Sequence, residues 1–600
     1  MNYIDRKDIP SEYKWRLTDI YPNEAAWEEE LAQAQSGAQK MKSYQGRLGE
    51  NQETLRAGLR LFESLEKRLE RVYMYAKLNL DVDISDAKYQ AMHDRTLGVL
   101  FQIQETTSFI VPELTAIPPE TLREWVNSDQ SLADFRHMID DVIRSRKHVL
   151  SAREEQLMAM VAPALEGLDG AFSMLESVDL KLGEITDEKG EQVILTHGLF
   201  GKLRDSSDRR VRADSFEAMH KAFAGMGNTI ASLYAGSVRS DLFHAKARGY
   251  QSCLDKAMFG DNLPPSIYTG LIEAVRAHLP AYRRYLELRR RILGVDKLHI
   301  YDTYVPIVEL PQREYTYEQA CDMVREHLAP LGRDYLRDLD KLLAGGWVDV
   351  YETPGKATGA YATGVYGVHP YMLLNFVGNL SDVFTLAHEA GHCMHTYYSD
   401  TQPYMNKDYP IFLAEIASTV NENILMRGMI GACDVSTPDG RLEKAYLLNR
   451  FLEEFKGTVF RQTMFAEFEL KVHEMAERGE PLTGETLCEV YGGLLGDYFG
   501  PDVEIDDYMR WEWARIPHFY RAFYVFKYAT GFSAASAITG MLTQQGTVER
   551  YLDFLKAGGS DYPAETLKRA GVDLTTPQPV NQALKEFESL LNQFEQLLGQ

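Results

Sequence analysis

A mainly α fold with a minor β component is predicted by three features of the 600-residue chain. Long stretches place apolar residues at three- and four-residue spacing between charged ones, the period of an amphipathic helix. Segments with strand character are few and short. The length exceeds what one simple core requires, so two or more domains or one multi-lobed body are expected.

The helical pattern begins in "EAAWEEELAQAQSGAQKMKSYQGRL" and "ETLRAGLRLFESLEKRLERVYMYAKLNL". It resumes in "SSDRRVRADSFEAMHKAFAGMGNTIASLYAGSVRSDLFHAKARG" and "LNRFLEEFKGTVFRQTMFAEFELKVHEMAERGE". "KLGEITDEKGEQVILTHG" reads as a hairpin around Asp187–Gly190. "KLHIYDTYVPIV" (297–308), "GGWVDVYE" (345–352) and "GAYATGVYGVHPYMLLNF" (359–376) are expected to form one small sheet just ahead of a histidine-bearing helix. Thr483 follows a Pro-containing break and is expected to cap the helix after it. The hairpin near 183–197 marks the expected end of an N-terminal helical domain, giving domains 1–195 and 196–600.

Lys and Arg total 64 against 88 Asp and Glu, a formal charge of −24. That balance opposes nonspecific nucleic-acid binding and adhesion to anionic membranes. Five scattered cysteines without a C-x-x-C pair argue against a disulfide framework and for a reducing compartment. The start has no apolar signal-like core, and no run approaches the length of a membrane span. A cytoplasmic protein without nucleic-acid or membrane partners is expected.

The chemistry-bearing stretch is "DVFTLAHEAGHCMHTYYSD", with His388-Glu389-Ala390-Gly391-His392 and a further imidazole at His395. On a helix, His388 and His392 lie one turn apart on one face and can offer two nitrogens to one zinc ion. Glu389 points to the neighbouring flank, within reach of an attacking water. Ser381 is expected to cap this helix, and Asp382 suits its positive end. H-E-x-x-H also arises by chance, so a third ligand is needed. Cys393 faces away. His395 is almost two turns from His388 and is expected to pack beside the site or donate a hydrogen bond. A third histidine six residues after His392 would define a different zinc class, but that residue is Tyr398.

"YPIFLAEIASTVNENILM" reads as a second helix with Glu415, Ser418, Thr419 and Glu422 in one polar stripe. Such a stripe faces solvent or a functional cavity. Beside H-E-x-x-H the cavity is favoured, because two histidines and a glutamate are an established catalytic zinc set. Glu422 or Asp382 would then fix a ligand histidine from its far nitrogen. "WARIPHFYRAFYVFKYATG" concentrates donors: His518, with Tyr520, Tyr524 and Tyr528 expected on one helical face. Four-residue tyrosine spacing is common in packing, yet such donors also suit a developing oxyanion. The glycine-rich stretch before the histidine helix suits an edge strand to which a peptide could add.

Together "GAYATGVYGVHPYMLLNF", "DVFTLAHEAGHCMH", "FLAEIASTVNE" and "RIPHFYRAFYVFKYATGFSAA", in this order, resemble the oligoendopeptidase F family of thimet-oligopeptidase-like zinc metallopeptidases. The opening "IPSEYKWRLTDIYPNEAAWEEEL" extends the resemblance over nearly the whole chain. The resemblance implies a large two-lobed helical body with a deep channel for short unstructured peptides. It implies one zinc ion on His388, His392 and Glu415, Glu389 as general base, and His518 and Tyr528 on the substrate and oxyanion. Tyr520, Tyr524, Gly364 and Tyr366 would be substrate contacts, although tyrosine spacing differs between branches of the family. Asp382, Glu422 and His395 would stand behind the ligands. A zinc endo-oligopeptidase is the expected function. The alternatives are a zinc carboxypeptidase or dipeptidyl carboxypeptidase, and a catalytically silent peptide-binding protein. Two histidines and a glutamate also accept cobalt or manganese.

Overall fold

The computed structural model describes residues 5–311 and 313–599. Helices dominate, and the described strands are short, two to six residues each. The chain divides into two compact units, each assembled from three separate stretches. Among the described residues no helix is long and apolar enough to cross a membrane.

The first unit comprises Met1–Lys147, Gln312–Gly428 and Ile538–Val572. Its opening helices Glu24–Met41, Gln52–Asp81 and Ala87–Thr107 start where the side chains of Asn23, Asn51 and Asp86 accept the first free backbone N–H groups. Their apolar faces share a core with the sheet: Trp27, Val72 and Ala76 are buried in one cluster with Val365, Tyr371 and Leu373. Trp27 also satisfies its indole N–H on the Val72 carbonyl at 2.9 Å.

That sheet has three strands in the order Val348–Tyr351, Tyr371–Phe376, Tyr361–Thr363. The central strand runs parallel to the first and antiparallel to the last. Tyr361–Thr363 is therefore an edge, as expected for the glycine-rich stretch. Lys356 has no exposed side-chain surface; its ammonium pairs with Asp349 at 2.9 Å and donates to the carbonyls of Tyr351 (2.7 Å) and Leu374 (2.6 Å). Asp349, also bound by Arg6, lies at the irregularity in the ladder between Asp349 and Tyr351. A buried cation thus closes the backbone valences that the irregular register opens.

The second unit comprises His148–Pro311, Met429–Ala537 and Asp573–Gln600. It holds the predicted hairpin, Glu184–Thr186 against Gln192–Ile194. The stretch expected as one strand at 297–308 contributes only Leu298–His299, which pairs in parallel with Val503–Glu504 and not with the three-stranded sheet. Beyond it Asp302 is drawn into a 3-10 turn, where it accepts the His299 N–H and binds Arg209 and Arg212. Those charge contacts outcompete strand continuation. The helical pattern over 448–480 is interrupted by a π-helical turn, Lys456–Phe460, between Pro438–Phe455 and Arg461–Glu477. Thr483 caps Gly484–Phe499 as expected.

Candidate metal centre

H-E-x-x-H lies on the helix Leu380–Ser399, here the motif helix. Its N-cap is Asn379, not Ser381: the Asn379 side chain accepts from the Asp382 N–H, and the Asp382 carboxylate accepts from the Asn379 N–H in return. The reciprocal pair satisfies two end groups at once, which a cap at Ser381 would not. Asp382 accepts from Val377 and Gly378 as well, at 3.0 and 2.7 Å, so its carboxylate is committed to the helix start. The far nitrogen of His388 meets Glu422 instead, Nδ1 to Oε2 at 3.1 Å.

Glu415 and Glu422 come from the second helix, Ile411–Ala432. The two helices touch at Gly391, where an added Cβ would lie 2.5 Å from the Ser418 Cα and 2.6 Å from the Ala417 carbonyl oxygen. Asn421 fastens the same crossing: its amide donates to the Ala387 carbonyl at 3.1 Å while its oxygen accepts from Tyr335 at 3.0 Å. Neither Gly391 nor Asn421 was singled out by sequence. The signal that would have found Gly391 is a glycine in the middle of a helix, where it weakens the helix unless close packing requires it. Gly391→Ala is expected to cost about 1–3 kcal/mol through overpacking and to lower metal content, read by thermal unfolding and metal analysis on the same preparation.

Three donor atoms converge. His388 Nε2 and His392 Nε2 are 3.2 Å apart, and Glu415 Oε2 lies 3.4 and 3.5 Å from them. Ligands about 2.0–2.1 Å from a tetrahedral ion stand roughly 3.3–3.4 Å from one another. The triangle has that size, and it is the group of His, Cys, Asp and Glu side chains among the described residues that could hold a metal. Glu389 supplies a second test of fit. It is only 7 % exposed, and its Oε2 is buried with no hydrogen-bond partner among the described residues. Such a buried acceptor is costly unless something polar is meant to meet it.

The electrostatics agree with this donor set. Burial pulls the His388 imidazole down, but Glu415 and Glu422 outweigh it and leave it at about 10. The hydrogen bonds from His388 and His392 hold the Glu415 carboxyl far below the usual carboxylate range. A metal entering here displaces the proton that His388 holds. Glu389 goes the other way: burial raises it, reinforced by Glu415 and Glu422 against the pull of the two histidines.

His395 is outside the triangle. It is 1 % exposed, neither nitrogen has a hydrogen-bond partner among the described residues, and its ring stacks on Tyr409 at 3.6 Å. Burial lowers it to about 3, so it is a neutral packing ring. At the sheet edge, Gly364 is pressed against Thr396, whose methyl would lie 2.5 Å from an added Cβ. Tyr366 donates its N–H to Glu70 at 2.8 Å and its hydroxyl to the Gln402 carbonyl at 2.9 Å.

The donors of the second unit do not share one helix. Pro517–Tyr520 is a 3-10 turn, Phe523 has φ 58°, and the following helix starts at Phe526. The left-handed residue breaks the periodicity that would have aligned the tyrosines. His518, Tyr524 and Tyr528 nonetheless form one ring cluster, with centroids 5.5 to 6.3 Å apart. Tyr520 is set apart, stacked on Phe172 at 4.4 Å with its buried hydroxyl unpartnered among the described residues.

A helical protein that presents H-E-x-x-H on one helix and a carboxylate from the next, closed to a tetrahedral triangle, is a metallopeptidase by class. The chain belongs to peptidase family M3: the description "Peptidase family M3" matches residues 202–586, and "Oligopeptidase F" matches 113–181. It is 40 % identical over 597 residues to oligopeptidase PepF of Bacillus subtilis, covering 99 % of this chain and 88 % of that one. It is 36 % identical to the plasmid oligoendopeptidase F of Lactococcus lactis subsp. cremoris, covering 99 % and 98 %. Among solved structures, oligoendopeptidase-F of Enterococcus faecium superposes with a TM-score of 0.74 at 35 % identity, over 96 % of this chain and 99 % of the other. A Chlamydophila abortus protein gives 0.93 at 35 %, over 99 % and 100 %.

Proposed function

We propose that the protein is a zinc-dependent endopeptidase of short, unstructured oligopeptides. The observation that carries the reading is the His388–His392–Glu415 triangle with the unpartnered Glu389 oxygen beside it. Zinc, when bound, acts as a Lewis acid toward the scissile carbonyl and lowers the pKa of water. Everything else is the work of the chain. His388, His392 and Glu415 hold the ion, and Glu422 fixes the ring of His388 through Nδ1. Glu389 takes the proton of the attacking water and passes it to the leaving amine; its raised pKa suits both halves of that task. His518 and Tyr528 are assigned to the oxyanion, supported by their ring cluster and by the order of motifs along the chain. Burial and Arg521 lower the His518 pKa, favouring a neutral imidazole. Tyr528→Phe is expected to cut kcat about 100- to 1,000-fold with a small change in KM; an unchanged kcat would remove it from that role.

The substrate class rests on the half-buried edge strand Tyr361–Thr363, to which an extended peptide can add, and on what the named relatives are called. A C-terminally amidated peptide with quenched internal reporters separates the endopeptidase from a carboxypeptidase. Internal cleavage is expected, and a stall would favour the exopeptidase. Five free cysteines and the acidic charge support a cytoplasmic site of action. A division of the sequence near residue 195 is supported by the gap between the two family matches, 181 to 202.

A further inference from the structure

The second unit contains a cavity of about 50 Å³ unconnected with peptidase chemistry, walled by Tyr282, Thr303, Tyr304, Lys456, Phe460 and Arg461. A volume of that order admits a few waters or one small anion. Three of these residues come from the π-helical turn and the helix that follows it, and Lys456 and Phe460 are buried there.

Most of the wall is apolar, completed by Met464 and Phe499, and the polar side chains that reach it are few. Tyr282 is 3 % exposed, stacks flat on Phe460 at 4.6 Å, and its hydroxyl has no hydrogen-bond partner among the described residues. Tyr304 accepts from Arg461 at 2.6 Å, and its own O–H has no acceptor among the described residues. Arg461 uses a second N–H on Glu512 at 2.6 Å, two of the five donors of a guanidinium. Thr303 has already donated its hydroxyl to Ile300.

Positive charge is in excess around the same walls. Glu453 is shared by Arg289, at 2.7 Å, and Lys456. Glu512 is shared by Arg461, at 2.6 Å, and Arg515, at 3.6 Å. Each carboxylate thus faces two cations. The nearby Asp205 is matched by Arg204 at 3.5 Å. Burial, then Arg289 and Arg461 against the pull of Glu453, bring the Lys456 ammonium down to about 8. A buried cation without a full complement of negative charge is costly, and a small anion is the group that would offset it.

We infer that the cavity between Tyr282, Tyr304, Lys456 and Arg461 is a binding site for one monovalent halide, chloride by size and abundance. Its donors are the two phenol O–H groups, with the N–H groups that Lys456 keeps beyond Glu453 and the Thr303 carbonyl and those that Arg461 keeps beyond Tyr304 and Glu512.

Thermal unfolding of the full chain in sodium chloride, bromide and gluconate at equal ionic strength tests this. A saturable rise in midpoint is expected with chloride and bromide and none with gluconate. Tyr282→Phe keeps the stacked ring and removes one donor to a charged group, so half-saturation in chloride should need about tenfold more salt. Should that variant fail to fold, bromide-soaked crystals of the unaltered protein decide, with an anomalous peak expected between the Tyr282 and Tyr304 hydroxyls. Equal midpoints in the three salts, an unshifted half-saturation in Tyr282→Phe, or water alone at that position would overturn the proposal.

Discussion

Glu389→Gln keeps its metal and loses turnover by about 100- to 10,000-fold, the span that general-base catalysis covers. The substitution is nearly isosteric, and the glutamate is not one of the three converging donors. Its Oε2 has no hydrogen-bond partner among the described residues, so the amide deprives no neighbour of an acceptor there. Stability and metal content should therefore stay near those of the unaltered protein while the group that accepts the proton is gone. Turnover of a quenched peptide, measured alongside metal content by mass spectrometry, checks both halves. A rate close to that of the unaltered protein would show that another group is the base.

Glu415→Ala is expected to lose the ion itself. Both histidine Nε2 atoms lie within 3.5 Å of its carboxylate, and its removal leaves two neutral ligands on one helix face. Outer partners of ligands are worth about 10- to 100-fold in metal affinity. Glu422→Gln should fall in that range and Glu415→Ala well beyond it. Competition with a chelator of known affinity ranks the two, and equal losses would remove Glu415 from the ligand set. The metal-free protein should also respond to acid through this residue. Glu415 is held far below its ordinary pKa, so its contribution to stability is present above about 4.3 and is lost as pH falls below that.

The pairing of His388 with His392 was legible because helix geometry alone sets an i, i+4 relation. Glu415 and Glu422 were legible for the same reason, as one stripe on an otherwise apolar helix. What was not legible depends on contacts between distant segments. The choice of Glu422 over Asp382 behind His388 needed the crossing of two helices, and that crossing depends on Gly391 lying against Ser418. The helix start moved from Ser381 to Asn379 because a reciprocal side-chain pair outweighs a lone serine. The tyrosine face failed at Phe523, where a single left-handed residue, invisible to periodicity, ends one element and redirects the next. The strand at 297–308 failed because arginines far off in sequence claim Asp302.

Each compact unit draws on three stretches of chain, the first finishing only with Ile538–Val572 and the second with Asp573–Gln600. During synthesis the residues of the motif helix leave the ribosome long before the last pieces of their own unit exist. Helices and the local core over residues 41–142 can form early, but closure of each unit waits for its last stretch. Until then the apolar faces that the last stretches cover stay open, and the unfinished chain is a natural client for holding chaperones. A stop codon shortly before residue 538 would deprive both units of their closing helices and yield an insoluble product, although the metal ligands would all have been made.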